Sequence, residues 1–193
     1  MKNIFLFLIC LAFSSTSILS HAQTNNQQRP TNWATPMTHK IGNLHQITPN
    51  LYRSEQPLAE DLNILKELNI KTIVNLRSRN KDKRELSQTD LNLVHIPIRT
   101  WAIKEQQIAD ALWAIEQGQK QGSVLLHCYH GSDRTGLVSA MYRIIYQDWS
   151  IEQAKQEMKQ GGYGFHSIWI NIEDFFTPEH VNNIKMLLKE KQT

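Results

Sequence analysis

Cys128 stands in the run His127-Cys-Tyr-His-Gly-Ser-Asp-Arg-Thr-Gly136, with Arg134 six residues after it. A cysteine becomes a nucleophile as its thiolate, and a positive environment at a strand-to-helix junction favours that form. The preceding Ser123-Val-Leu-Leu-His127 is a compact apolar strand, and the periodic segment after Asp133 predicts a helix. Ligands bind at the carboxyl ends of strands in α/β sheets. A short loop there can aim several backbone N–H groups inward as an anion nest, reinforced by the positive end of the helix. Arg134 can bring a planar fork to two oxygens of a tetrahedral anion. Gly131 allows backbone geometry that a side chain would obstruct. Nucleophile, anion cradle and charge clamp thus fall within seven residues.

The flanking pattern supplies the scaffold. Leu44–Ile47 and Leu51–Ser54 read as short strands around a Thr-Pro-Asn turn. Apolar residues at 58, 62 and 65 predict a helix ending near Asn69, and Ile70–Leu76 a strand. The charged stretch Arg77–Arg84 reads as a solvated loop. Leu91–Ile96 is the next strand, and Ile108, Ala111, Leu112 and Ile115 keep the spacing of a core-facing helix. Leu137, Met141, Ile144 and Ile145 mark another. Ser150 with Gln153 predicts a capping box, Gly161–Gly164 a break, and Thr177-Pro178 the start of a last helix. The expected fold is α/β: a single domain whose short, mostly parallel central sheet is flanked by helices.

The chain has 193 residues, 40% hydrophobic and 20% charged, with a formal net charge of +3. That excludes a disordered polyampholyte and a multi-span membrane protein. The basic residues are scattered, so no nucleic-acid partner is expected. Lys2, the apolar run Ile4–Phe13 and Ser20-His-Ala22 predict a cleaved export signal over residues 1–22. A loose lead-in follows over 23–42, then the catalytic domain over 43–193. The run is too short to span a bilayer of about 30 Å, so no stable membrane insertion is expected. The mature chain is expected to be periplasmic or secreted, and Cys128 is then its one cysteine. An unpaired cysteine in an exported protein suggests a reactive thiol; counting alone fits a buried inert one equally well. His39, His45, His95, His166 and His180 lack metal-ligand spacing and no Gly-rich nucleotide loop occurs, so neither metal nor cofactor is expected.

The Cys-x5-Arg-Thr-Gly run after an apolar strand resembles the cysteine-dependent protein tyrosine phosphatases, most closely compact exported bacterial phosphatases of the dual-specificity type. Asn50–Pro57, Ile70–Leu76 and Met141–Ile144 look like segments of the same group, and the resemblance covers about Asn43 to Gly164. It implies a phosphomonoesterase acting through a phosphocysteine on a phosphotyrosine protein or a small phosphomonoester. By that resemblance Cys128 attacks phosphorus, and Tyr129, His130, Gly131, Ser132, Asp133 and Arg134 line the phosphate site. Thr135 steadies the thiolate and His127 orients the loop.

One departure matters. The family's general-acid aspartate lies on a loop upstream of the cysteine, yet His95–Ile103 holds no acid, and Trp101 falls about where that aspartate would be. Trp101 is therefore expected to form a wall for an aryl substrate. Asp133 resembles the placement of aspartate in myotubularins and Sac-type phosphoinositide phosphatases, making it the candidate acid. Its alternative role is a turn aspartate bonded to backbone. Glu105 and Asp110 are more remote candidates. The alternative functions are an inositol-phosphate or phosphoinositide phosphatase and a phosphate-binding pseudophosphatase.

Overall fold

The computed structural model describes residues 29–86 and 89–193; the expected export signal lies outside the described residues. Among these residues, six strands form one mixed sheet: β1 (Thr35–Pro36), β2 (His45–Thr48), β3 (Leu51–Ser54), β4 (Ile70–Asn75), β5 (Asn92–His95) and β6 (Ser123–His127), in the order β1-β2-β3-β6-β4-β5. β1, β2 and β3 pair antiparallel, whereas β3, β6, β4 and β5 run parallel. The mostly parallel sheet expected from the alternation of strands and helices is thus present, with a two-strand antiparallel edge.

β6 lies between two parallel neighbours and is buried along its whole length, which explains its unbroken apolar sequence. Its side chains alternate between two layers. Leu125 lies beside Ile73 and Tyr52 and packs toward α1 (Leu62–Glu67). Leu126 lies beside Val74 and Arg53 and faces the larger core. That core is closed by α3 (Glu105–Gln119), α4 (Asp133–Tyr146), α5 (Ile151–Gln160) and α7 (Pro178–Gln192). Ile108, Ala111, Leu112 and Ile115 of α3 are fully buried, as their spacing requires.

The capping signals also hold. Ser150 Oγ accepts from the Gln153 N–H at 3.1 Å, and Gln153 reaches back to the Ser150 N–H at 2.9 Å. Thr177 accepts from the His180 N–H ahead of α7. Each such cap contributes about 1 kcal/mol.

The charged stretch differs from expectation. Asp82–Glu85 forms the short helix α2, and Asp82 is 1% exposed. Its carboxylate is turned inward onto a histidine, which no charge count along the chain reveals. A further short helix, α6 (Ile170–Glu173), follows the glycine break.

Candidate active site

β6 ends at His127, α4 begins at Asp133, and residues 128–132 bridge them. The backbone of that bridge is sorted by direction. Every carbonyl from 128 to 132 is bonded within the protein. Cys128 O lies 2.9 Å from His127 Nδ1, and Tyr129 O accepts from the Gln56 N–H at 3.1 Å. His130 O accepts from Asn43 Nδ2 at 2.9 Å and Gly131 O from Arg53 Nη2 at 2.6 Å. Ser132 O accepts from the Gly136 N–H at 2.7 Å. The N–H groups of residues 129–132 donate to no group among the described residues. Because carbonyl and N–H of a trans peptide point opposite ways, anchoring the carbonyls turns the amides to the other side. The product is a nest of free donors, suited to an anion.

Two further donors join it. Arg134 Nε and Thr135 Oγ1 are buried without a hydrogen-bond partner, and Arg134 Nη1 only grazes the Leu76 carbonyl at 3.5 Å. A buried unpaired polar group costs about 1–3 kcal/mol, a cost an oxyanion bound there removes. Cys128, 2% exposed, opens the loop that carries these donors, and it is the free cysteine among the described residues.

Gly131 has φ +71°. A Cβ on it would lie 2.5 Å from the carbonyl carbon and oxygen of Ser54 and 2.8 Å from the Glu55 nitrogen. These are backbone atoms of a buried strand end and cannot swing aside. Gly131→Ala is therefore expected to lower the thermal midpoint and to weaken phosphate binding at the same time. The strain alone is about 1–3 kcal/mol. A melt and a phosphate titration both matching the parent chain would remove the steric reading.

Behind the loop, His127 is fully buried between the Cys128 carbonyl and Asp82 Oδ2, 2.8 Å from Nε2. Burial pushes the Asp82 carboxyl up. The hydrogen bond and charge of His127, with the hydrogen bond from Gln56, outweigh it and hold the group below its ordinary range. Gln56 Nε2 lies 2.6 Å from Asp82 Oδ1, and the Gln56 amide N–H holds Tyr129 O. Asp82 is thereby tied to the loop from two sides.

The candidate acids divide. The Asp133 carboxylate lies at the start of α4, 14% exposed, and accepts from the His166 N–H at 2.9 Å with His166 Nδ1 3.0 Å away. It bonds the segment between α5 and α6, not its own loop. Glu105 accepts from Asn183, the larger influence, and faces His180, which together hold its carboxyl below its ordinary range. Asp110 pairs with Lys191 at 2.6 Å. Both remote acids are therefore committed to α7 or its side chains.

Trp101 lies in a separate turn closed by an Arg99–Ala102 bridge and is 67% exposed. The Thr100 carbonyl of that turn accepts from Asn171 of α6. Tyr129, 51% exposed, carries the Arg77 guanidinium 4.8 Å from its ring centre. Beside it, a cleft of about 350 Å³ is lined by Gln56, Arg77, Lys81, Tyr129 and His130 among others.

Spacing brought together Cys128 through Thr135. It missed Asn43, Arg53, Asp82 and His166, which come from four distant segments. One signal was available: an arginine in the middle of a four-residue strand, in a segment already singled out by resemblance.

A family model described as "Polymorphic toxin system, DSP-PTPase phosphatase" matches residues 48–148. The dual specificity protein phosphatase TpbA of Pseudomonas aeruginosa (strain UCBPP-PA14) is 35% identical over 144 residues, 75% of this chain. That match takes in 65% of the length of the curated relative. The crystal structure of P. aeruginosa TpbA aligns with a TM-score of 0.74 and 30% identity, covering 82% of this chain and 98% of that one. A cysteine-to-serine variant of TpbA in complex with pTyr aligns with a TM-score of 0.75 and 29% identity, covering 83% and 98%.

Proposed function

Because the chain belongs to the DSP-PTPase phosphatases, within the cysteine-dependent protein tyrosine phosphatase superfamily, we propose that it hydrolyses phosphomonoesters, phosphotyrosine above all, through a phosphocysteine on Cys128. The observation that carries the reading is the sorted loop, with its carbonyls bonded outward and the amides of 129–132 left free around a buried thiol. The pTyr bound to the TpbA variant supports the substrate class.

In the first step the Cys128 thiolate attacks phosphorus and the P–O bond to the tyrosyl oxygen breaks. The leaving oxygen takes a proton from an acid, and the loop amides with Arg134 hold the equatorial oxygens as charge develops. In the second step water attacks the phosphocysteine and gives a proton back to the acid left ionised by the first step, the S–P bond breaks, and thiolate and inorganic phosphate are released. Thr135 steadies that departing thiolate, and His127, braced by Asp82, keeps the loop oriented. Tyr129 and His130 form the mouth, and Trp101 supplies an aryl wall.

Asp133 is the acid in this reading, held at the loop's edge by His166. Its value grows with the basicity of the leaving oxygen. A tyrosine hydroxyl has a pKa near 10, whereas p-nitrophenolate leaves with little help. General acid catalysis contributes about 10²–10⁴-fold where it matters. The decisive experiment compares a phosphotyrosine peptide, p-nitrophenyl phosphate and an inositol-phosphate series, using parent and Asp133→Asn chains. Export is part of the proposal, so the chain is taken from the extracytoplasmic fraction, with Gln23 expected as its first residue. The peptide is expected to be the best substrate, and Asp133→Asn to slow it far more than p-nitrophenyl phosphate. Equal losses on both would reduce Asp133 to a loop anchor. A preference for inositol phosphates would overturn the substrate class, and binding without turnover would make the protein a phosphate binder.

A further inference from the structure

Arg53 is among the largest buried side chains of the described residues, and its residue is 2% exposed. It lies on β3 in register with Leu126 of β6, one residue before the end of each strand. Side chains at those positions face the core beneath α4, so the guanidinium reaches the underside of the 128–132 loop. One face of it lies on the Tyr163 ring, 3.6 Å from the ring centre. Nη2 donates to Gly131 O at 2.6 Å, and Nε is buried with no partner.

Burying a cation here costs free energy; a strand needing only packing would carry leucine or valine. Burial indeed lowers the Arg53 pKa, while Tyr163, Glu157 and Cys128 act in the opposite direction. Even so, an arginine keeps its proton at any pH a protein meets. The surroundings are built around this cation. Tyr163 OH donates to Glu157 Oε1 at 2.9 Å, and Glu157 is paired with Arg143. The Tyr163 carbonyl accepts from Ser132 Oγ at 2.7 Å and from Asn43. The stacked ring and the loop are therefore one unit.

We propose that Arg53 is a positioning residue for the reaction. Its guanidinium pins the Gly131 carbonyl away from the anion nest, so that the Ser132 N–H faces into it. The trans peptide links the two ends: drawing Gly131 O toward Arg53 directs the next N–H the other way. The inference rests on Cys128 being the nucleophile of the proposed reaction. Oxyanion binding is read without turnover, so it reports on Arg53 whether or not the substrate assignment stands.

The test measures vanadate affinity, with a thermal melt, in the parent, Arg53→Met and Arg53→Lys chains. With Arg53→Met, vanadate affinity is expected to fall at least about tenfold, the loss for one hydrogen bond to a charged group. Arg53→Lys keeps a charged donor without the stacked fork and is expected to recover part of that loss. A folded Arg53→Met chain that binds vanadate as tightly as the parent overturns the proposal, as does a folded lysine variant that binds no tighter than the methionine one. Should Arg53→Met fail to fold, the parent chain decides by nitrogen-15 NMR. The Ser132 amide signal is expected to move as vanadate saturates the site; an unmoved signal overturns the proposal.

Discussion

Cys128→Ser is expected to lose turnover of phosphotyrosine peptide by at least about 10⁴-fold, the scale on which removal of a covalent nucleophile acts. The hydroxyl that replaces the thiol needs a base, and the adjacent His127 does not serve as one: its Nδ1 is taken by the Cys128 carbonyl and its Nε2 by Asp82. The anion nest is made of backbone amides and Arg134, so it outlasts the substitution. Vanadate or phosphate should still bind the variant, because the carbonyl anchors of residues 129–131 come from Gln56, Asn43 and Arg53. The pair of measurements separates nucleophile from cradle. Activity above contaminating background in the serine chain sinks the covalent mechanism, and loss of both activity and binding means that Cys128 only packs the loop.

Arg134→Lys is expected to produce the next largest effect, a fall in kcat of about 10²–10³-fold, the range for losing an oriented donor to a developing oxyanion. Lysine keeps the charge. It cannot supply the planar fork that reaches two oxygens together, and the Nε donor now buried without a partner disappears. Steady-state kinetics on p-nitrophenyl phosphate and on a phosphotyrosine peptide check this, since both pass through the same equatorial geometry and should suffer alike. A variant that keeps kcat within a few-fold of the parent, a difference of less than about 1.4 kcal/mol, would mean that charge alone suffices.

The fold was legible wherever burial imposes a period. Ile108, Ala111, Leu112 and Ile115 showed their helix because one face of α3 is fully buried, and Ser123–His127 showed its strand because both faces of β6 are. α2 was not legible. Four residues carry no period, and the carboxylate that matters there, Asp82, looks in sequence like any other charge on a solvated surface.

The site followed the same division. Cys128 to Thr135 are contiguous, so spacing alone assembled the nucleophile, the cradle and the clamp. The groups that orient them are joined to them by hydrogen bonds between distant segments of the chain. Arg53 meets Gly131, Asp82 meets His127, and His166 meets Asp133 across separations of 78, 45 and 33 residues. No periodicity encodes such contacts. Asp133 shows the consequence: its place beside Arg134 suggested chemistry, yet its orientation depends on a histidine that spacing had marked only as a non-ligand.

The covalent intermediate is the point on which the account turns, and it can be caught directly. Parent chain mixed with excess phosphotyrosine peptide is quenched in acid within the first turnover, digested and mapped by mass spectrometry. One phosphoryl group on the Cys128 peptide is expected, appearing with the initial burst of free tyrosine peptide and absent from the Cys128→Ser chain. Turnover with no phosphorylated Cys128 peptide at any quench time, or with the phosphoryl group on another side chain, would contradict the phosphocysteine mechanism.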